Sequence, residues 1–74
     1  MKSKIEHFSG GLSGISFSFR EHEIDLLIER LQALKSRKIG HFHFRSDSFE
    51  SEQGIADVEL SMMGEHEDDE MSIE

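Results

Sequence analysis

Glu21-His22-Glu23-Ile24-Asp25-Leu26-Leu27-Ile28-Glu29-Arg30-Leu31-Gln32-Ala33-Leu34, followed after five residues by Gly40-His41-Phe42-His43-Phe44, is the stretch that decides the fold. Ile24, Leu27, Ile28, Leu31 and Leu34 recur at helical intervals and make one apolar stripe, flanked by Leu26 and Ala33. Acids (Glu21, Glu23, Asp25) begin the segment and bases (Lys35, Arg37, Lys38) end it, which complements the helix dipole at both ends. A helix is therefore expected from Glu21 to about Arg37, with Gly40 as its stop. Ser18 and Glu21 match a capping box that would start it earlier. A stripe of under three heptads beside strands reads as the helix's own core face rather than a dimer seam.

After Gly40 the period drops from 3.6 to two. His41 and His43 face one way, Phe42 and Phe44 the other. On the N-terminal side, Ile15, Phe17 and Phe19 alternate with Ser16, Ser18 and Arg20, and Lys4 to Phe8 is a further short strand. Between those two strands, Ser9-Gly10-Gly11 and Ser13-Gly14 surround Leu12 with turn formers, the mark of a hairpin connection. Beyond the helix, the polar stretch Ser46 to Gly54, which includes Phe49, leads to a last strand. There Ala56, Val58, Leu60 and Met62 alternate with Asp57, Glu59 and Ser61.

The order is ββαββ, an α+β domain. The expected architecture is a four-stranded, mainly antiparallel sheet with one helix packed on one face, burying the Phe and Leu rows together. The wet face of that sheet should carry Ser16, Ser18, Arg20, His41, His43, Asp57 and Glu59. Residues 1–63 form the single domain and residues 64–74 an acidic C-terminal tail.

Seventy-four residues leave little stability to spare for a strained or desolvated active site. The absence of cysteine removes disulfides, thiolate metal sites and cysteine nucleophiles. No apolar run approaches a membrane span or a secretory leader, so a cytoplasmic protein is expected. Net charge is −8, and the tail acids Glu65, Glu67, Asp68, Asp69, Glu70 and Glu74 carry six of those charges, which leaves the body at −2. Such a field repels nucleic acid and anionic lipid and favours a basic protein partner. Oligomeric state is not encoded in these patterns.

Catalytic chemistry finds no foothold. Gly11-Leu12-Ser13-Gly14 lacks the second spacer of a nucleophile elbow, and the acids fall on helix ends, polar strand faces or the tail rather than in a dry pocket. The glycine cluster lacks the spacing and the lysine of a nucleotide loop. The expectation is a protein that is not an enzyme and needs no cofactor. His41-x-His43 is the one metal-like spacing, and Asp57 or Glu59 would have to complete a ligand set; two histidines alone assign no metal. The tail has two readings, a solvated solubilising end or an acidic arm whose Met71 and Ile73 anchor in a basic groove.

Gly10-Gly11-Leu12 leading into a strand, the leucine-laddered helix, Gly40-His41-Phe42-His43-Phe44 directly behind it and Val58-Glu59-Leu60 in the closing strand together resemble a known family. They look like the small bacterial immunity proteins of polymorphic toxin systems, in particular the immunity protein family numbered thirty-two. The likeness covers most of the first sixty-two residues. It implies a cytosolic protein that binds a cognate toxin domain and blocks its active site or substrate approach. The contacts expected for that role are His41, His43, Asp57 and Glu59 on the sheet and Glu67, Asp68, Asp69 and Glu70 in the tail. The competing readings are a small acidic regulatory or adaptor domain for a basic partner, and a metal-binding protein using His41 and His43.

Overall fold

A computed structural model describes residues 1–46 and 54–74, so most of the polar stretch read from Ser46 to Gly54, Phe49 included, lies outside the described residues. The chain runs β1 (Lys2–His7), a single 3₁₀ turn (Ser9–Gly11), β2 (Ser13–Ser18), α1 (Glu21–Lys35), β3 (His41–Arg45) and β4 (Asp57–Ser61). This is the expected α+β, ββαββ order.

The β1–β2 connection is closed by the Phe8 amide donating to the Leu12 carbonyl at 2.7 Å. Gly10 and Gly11 take φ of 78° and 81° in succession, a left-handed pair that side-chain-bearing residues resist. The hairpin is antiparallel, with Ser3 opposite Phe17, Ile5 opposite Ile15 and His7 opposite Ser13 on one face. His7 Nδ1 lies 3.2 Å from Ser13 Oγ.

At the start of α1, Arg20 is the extended cap residue, and its amide donates to Glu23 Oε1 at 2.8 Å. Arginine has no side-chain acceptor, so Glu23 supplies the working half of a capping box. The Ser18–Glu21 box does not form, because Ser18 is the last residue of β2. Glu23 Oε2 also receives the Met1 ammonium at 2.7 Å, tying the start of β1 to the first turn of the helix. At the other end Arg37, at φ 64°, takes the left-handed position, while the Lys38 and Arg37 amides donate to the Ala33 and Leu34 carbonyls at 3.0 and 3.1 Å. That is a Schellman stop made three residues before Gly40, on a residue whose type does not advertise it.

Among the described residues the four strands form two separate two-stranded sheets, β1–β2 and β3–β4, both antiparallel, instead of one ladder. Alternation dictates which face of a strand is apolar but not which strand lies beside it. Here the Phe rows are brought together by ring contacts. Phe44 meets Phe17 at 5.6 Å, Phe19 at 5.7 Å and Phe42 at 6.0 Å between centroids, all near-perpendicular. The expected polar platform is accordingly divided. Ser16 and Ser18 pair with Lys4 and Lys2 on the first hairpin, Arg20 caps the helix, and only His41, His43, Asp57 and Glu59 share the second hairpin.

The helix packs its inner side against β3. Among the described residues only Leu34 and Phe42 are buried, at 6% and 9% exposure. The single core stripe read along the helix is split: Leu27 and Leu34 turn inward, while Ile24, Ile28 and Leu31 stay 43–48% exposed. The core is open on one side as a groove of about 480 Å³ lined by Phe17, Leu27, Phe42, Phe44 and Val58. The 7168 Å² of accessible surface exceeds the roughly 4,700 Å² of a compact monomer of this mass, in keeping with an open core and an exposed tail.

Two outcomes follow from these contacts. Phe44→Ala removes the ring shared by both hairpins and should cost about 3 kcal/mol in urea denaturation, a large part of what a chain this size has; Phe8→Ala, at a ring that is already 54% exposed, should cost under about 1 kcal/mol. The Met1 ammonium and then the Arg20 amide hold the Glu23 carboxyl below the usual carboxylate range. Because the folded pKa lies below the unfolded one, the Glu23 contribution is present above the unfolded value and is lost as pH falls through the folded one. Thermal melts should therefore find Glu23→Gln less stable than the parent near neutral pH, with the difference closing in acid.

Candidate functional site

The second hairpin sorts its side chains by register. His41 lies opposite Ser61, His43 opposite Glu59 and Arg45 opposite Asp57 on one face; Phe42 opposite Leu60 and Phe44 opposite Val58 make the other. The same alternation that drives Phe42 and Phe44 into the core holds both imidazoles outward on a rigid ladder. Glycine at position 40 and an aromatic-rich run behind it suit a short strand that leaves the helix by way of the Schellman turn.

His43 is the best anchored member. Its Nδ1 lies 3.0 and 3.1 Å from the two carboxylate oxygens of Asp57, diagonally across the ladder. Arg45 Nε donates to Asp57 Oδ1 at 3.3 Å, so Asp57 is held from both sides. The other His43 nitrogen, Nε2, lies 3.9 Å from Glu59 Oε1, too far for a hydrogen bond. His41 stacks edge-on to His43, with centroids 5.1 Å apart and planes at 89°. His43 is mostly covered, at 22% side-chain exposure, while Asp57 and Glu59 are half open at 47% and 55%.

The structure thus brings together His41, His43, Asp57 and Glu59, the four sheet residues singled out in the sequence. Glu67, Asp68, Asp69 and Glu70 lie elsewhere, all exposed, in the tail. The Glu67 carboxylate accepts from the Gly64 amide and the Glu67 amide donates back to the Gly64 carbonyl, a small turn at the tail's base. Met71 and Ile73 are fully open, at 89% and 103% exposure. Arg45 was missed by sequence reasoning, although the period of two that placed His41 and His43 extends to it by one more step.

Chemically, the face offers two imidazoles and two carboxylates of which one, Glu59, has no hydrogen-bond partner among the described residues. It is suited to contact, to charge pairing and to ligation. No helix among the described residues is long and apolar enough to cross a membrane. Compared with protein-family models, with curated proteins and with solved structures, the chain finds no match.

Proposed function

We propose that this chain is an immunity-type inhibitor, a cytoplasmic protein that binds a cognate toxin domain and blocks its active site or its substrate's approach. The observation that carries the reading is the polar face of the second hairpin, where His41, Asp57 and Glu59 stand exposed around a mostly covered His43, backed by the Phe42–Phe44 core row. A binding surface gains from such backing, since side chains on a rigid ladder lose little freedom when a partner arrives. The resemblance carried by the glycine turn, the leucine-laddered helix and the His-x-His strand supports the same assignment.

Charge supplies the kinetics. At −8 overall, with an acidic tail that holds no Lys or Arg, the chain repels nucleic acid and anionic membranes and is drawn to a basic protein surface, such as that of a toxin acting on an anionic substrate. Glu67, Asp68, Asp69 and Glu70 would act mainly in the encounter and the hairpin face in the final complex. Among the described residues each two-stranded sheet also leaves unpaired strand edges, to which a partner can add a strand of its own. None of these roles asks for a catalytic group or a cofactor.

The test is co-expression with the product of the adjoining reading frame, followed by binding kinetics. The expected result is a stable complex in which Asp57→Asn with Glu59→Gln raises the dissociation rate at least tenfold. Removal of residues 64–74 should slow association at low salt and matter less at high salt. Absence of any complex with the neighbouring product, or full affinity in the hairpin double variant, would reject the proposal.

A further inference from the structure

We infer that the polar face of the second hairpin is a binding site for one divalent transition-metal ion of the zinc type, with His41, His43 and Glu59 as ligands and Asp57 as the group that orients His43. The three ligands each offer one donor atom, and those atoms all lie within 4.8 Å of one another. Ligands about 2.0–2.1 Å from one zinc ion stand roughly 3.3–4 Å apart, so small side-chain rotations bring all three onto a common centre. The 3.9 Å between His43 Nε2 and Glu59 Oε1 already falls in that range, and it is too long for the two to satisfy each other directly.

The hydrogen bonding is arranged for the purpose. With Nδ1 held by Asp57 at 3.0 Å, the His43 proton sits on that side and the Nε2 lone pair is left facing Glu59 and His41. A carboxylate behind a histidine ligand fixes its tautomer and raises its basicity. Arg45 in turn fixes Asp57 at 3.3 Å. His41 and Glu59 have no hydrogen-bond partner among the described residues, so both donors are free to turn. Two imidazoles and one carboxylate suit zinc or its neighbours and not calcium or magnesium, which prefer all-oxygen sets. Three protein ligands leave a fourth position open to water or to a group brought by a partner.

The experiment is calorimetric titration of the full chain with zinc, paired with cobalt, whose visible spectrum reports ligand number. One equivalent should bind at micromolar concentration or below, with tetrahedral cobalt absorption. His41→Ala and His43→Ala should each weaken binding at least tenfold, and Asp57→Asn by about ten- to a hundredfold while the ligand number stays the same. Circular dichroism confirms that the variants are folded. Binding only near millimolar metal, or binding that survives the double variant His41→Ala with His43→Ala, overturns the inference.

The solvent side of α1 carries an independent second inference, that two copies of this chain pair through it as an antiparallel dimer. Glu21, Ile24, Ile28, Leu31 and Lys35 lie along one stripe of the helix, its three apolar members 43–48% exposed. Neither Glu21 nor Lys35 has an ion-pair partner among the described residues. The stripe is self-complementary: a two-fold axis at Ile28 sets Glu21 against Lys35 of the partner subunit twice over and brings Ile24 beside Leu31 of the partner subunit. Sedimentation should find a dimer that Ile28→Glu dissociates. Glu21→Lys alone should weaken it, and adding Lys35→Glu should restore it. A monomer at millimolar concentration, or a dimer indifferent to Ile28→Glu, contradicts the pairing.

Discussion

Everything in this fold leans on one ring. Phe44 touches Phe17 from the first hairpin, Phe19 just beyond it and Phe42 from its own strand, and among the described residues no backbone ladder joins the two sheets. In a continuous four-stranded sheet, hydrogen bonds would hold the outer strands whatever the side chains did. Here the hairpins are held in place by apolar contact, chiefly the aromatic cluster and the inner side of α1 against β3. A small domain with two buried residues among those described has few other sources of cohesion. The tie from Met1 to Glu23 adds a polar brace at the same end of β1, where Ser3 pairs with Phe17.

The same strand that supplies this ring also presents the site. In β3 every second residue goes to the core and every other to the surface, so the positions of His41 and His43 are set by the burial of Phe42 and Phe44. β4 then brings Asp57 and Glu59 to the same face by register alone. This coupling makes the polar face stiff without requiring it to be buried. It also means that a change in the aromatic row is expected to disturb the face, whereas exchanges at Asp57 or Glu59, both half open, leave the core untouched.

Much of this was legible beforehand, because hydrophobic period reports local structure directly. The change from a period of 3.6 to two at Gly40 marked the helix and β3, and the alternation in residues 56–62 put Asp57 and Glu59 on one face. What was not legible depended on relations between elements. Period names the face of a strand and leaves its lateral neighbour open, which is why one sheet was expected and two are found. Amphipathicity located an apolar stripe but not its width in contact, so Ile24, Ile28 and Leu31 were assigned to a core that reaches only Leu27 and Leu34. Arg37 took a helix-stopping conformation normally signalled by glycine. The diagonal bond from His43 to Asp57 required the register of β3 on β4, which a single sequence does not contain.

We propose that the chain acts through the outward face of its second hairpin. Amide and imidazole shift mapping of the isotope-labelled chain, titrated with the product of the adjoining reading frame, tests it most directly. The account predicts that the largest perturbations fall on His41, His43, Asp57 and Glu59, with smaller, salt-sensitive ones at Glu67 to Glu70. Perturbations confined to the first hairpin or to the tail, with the imidazoles of His41 and His43 unmoved, would contradict it.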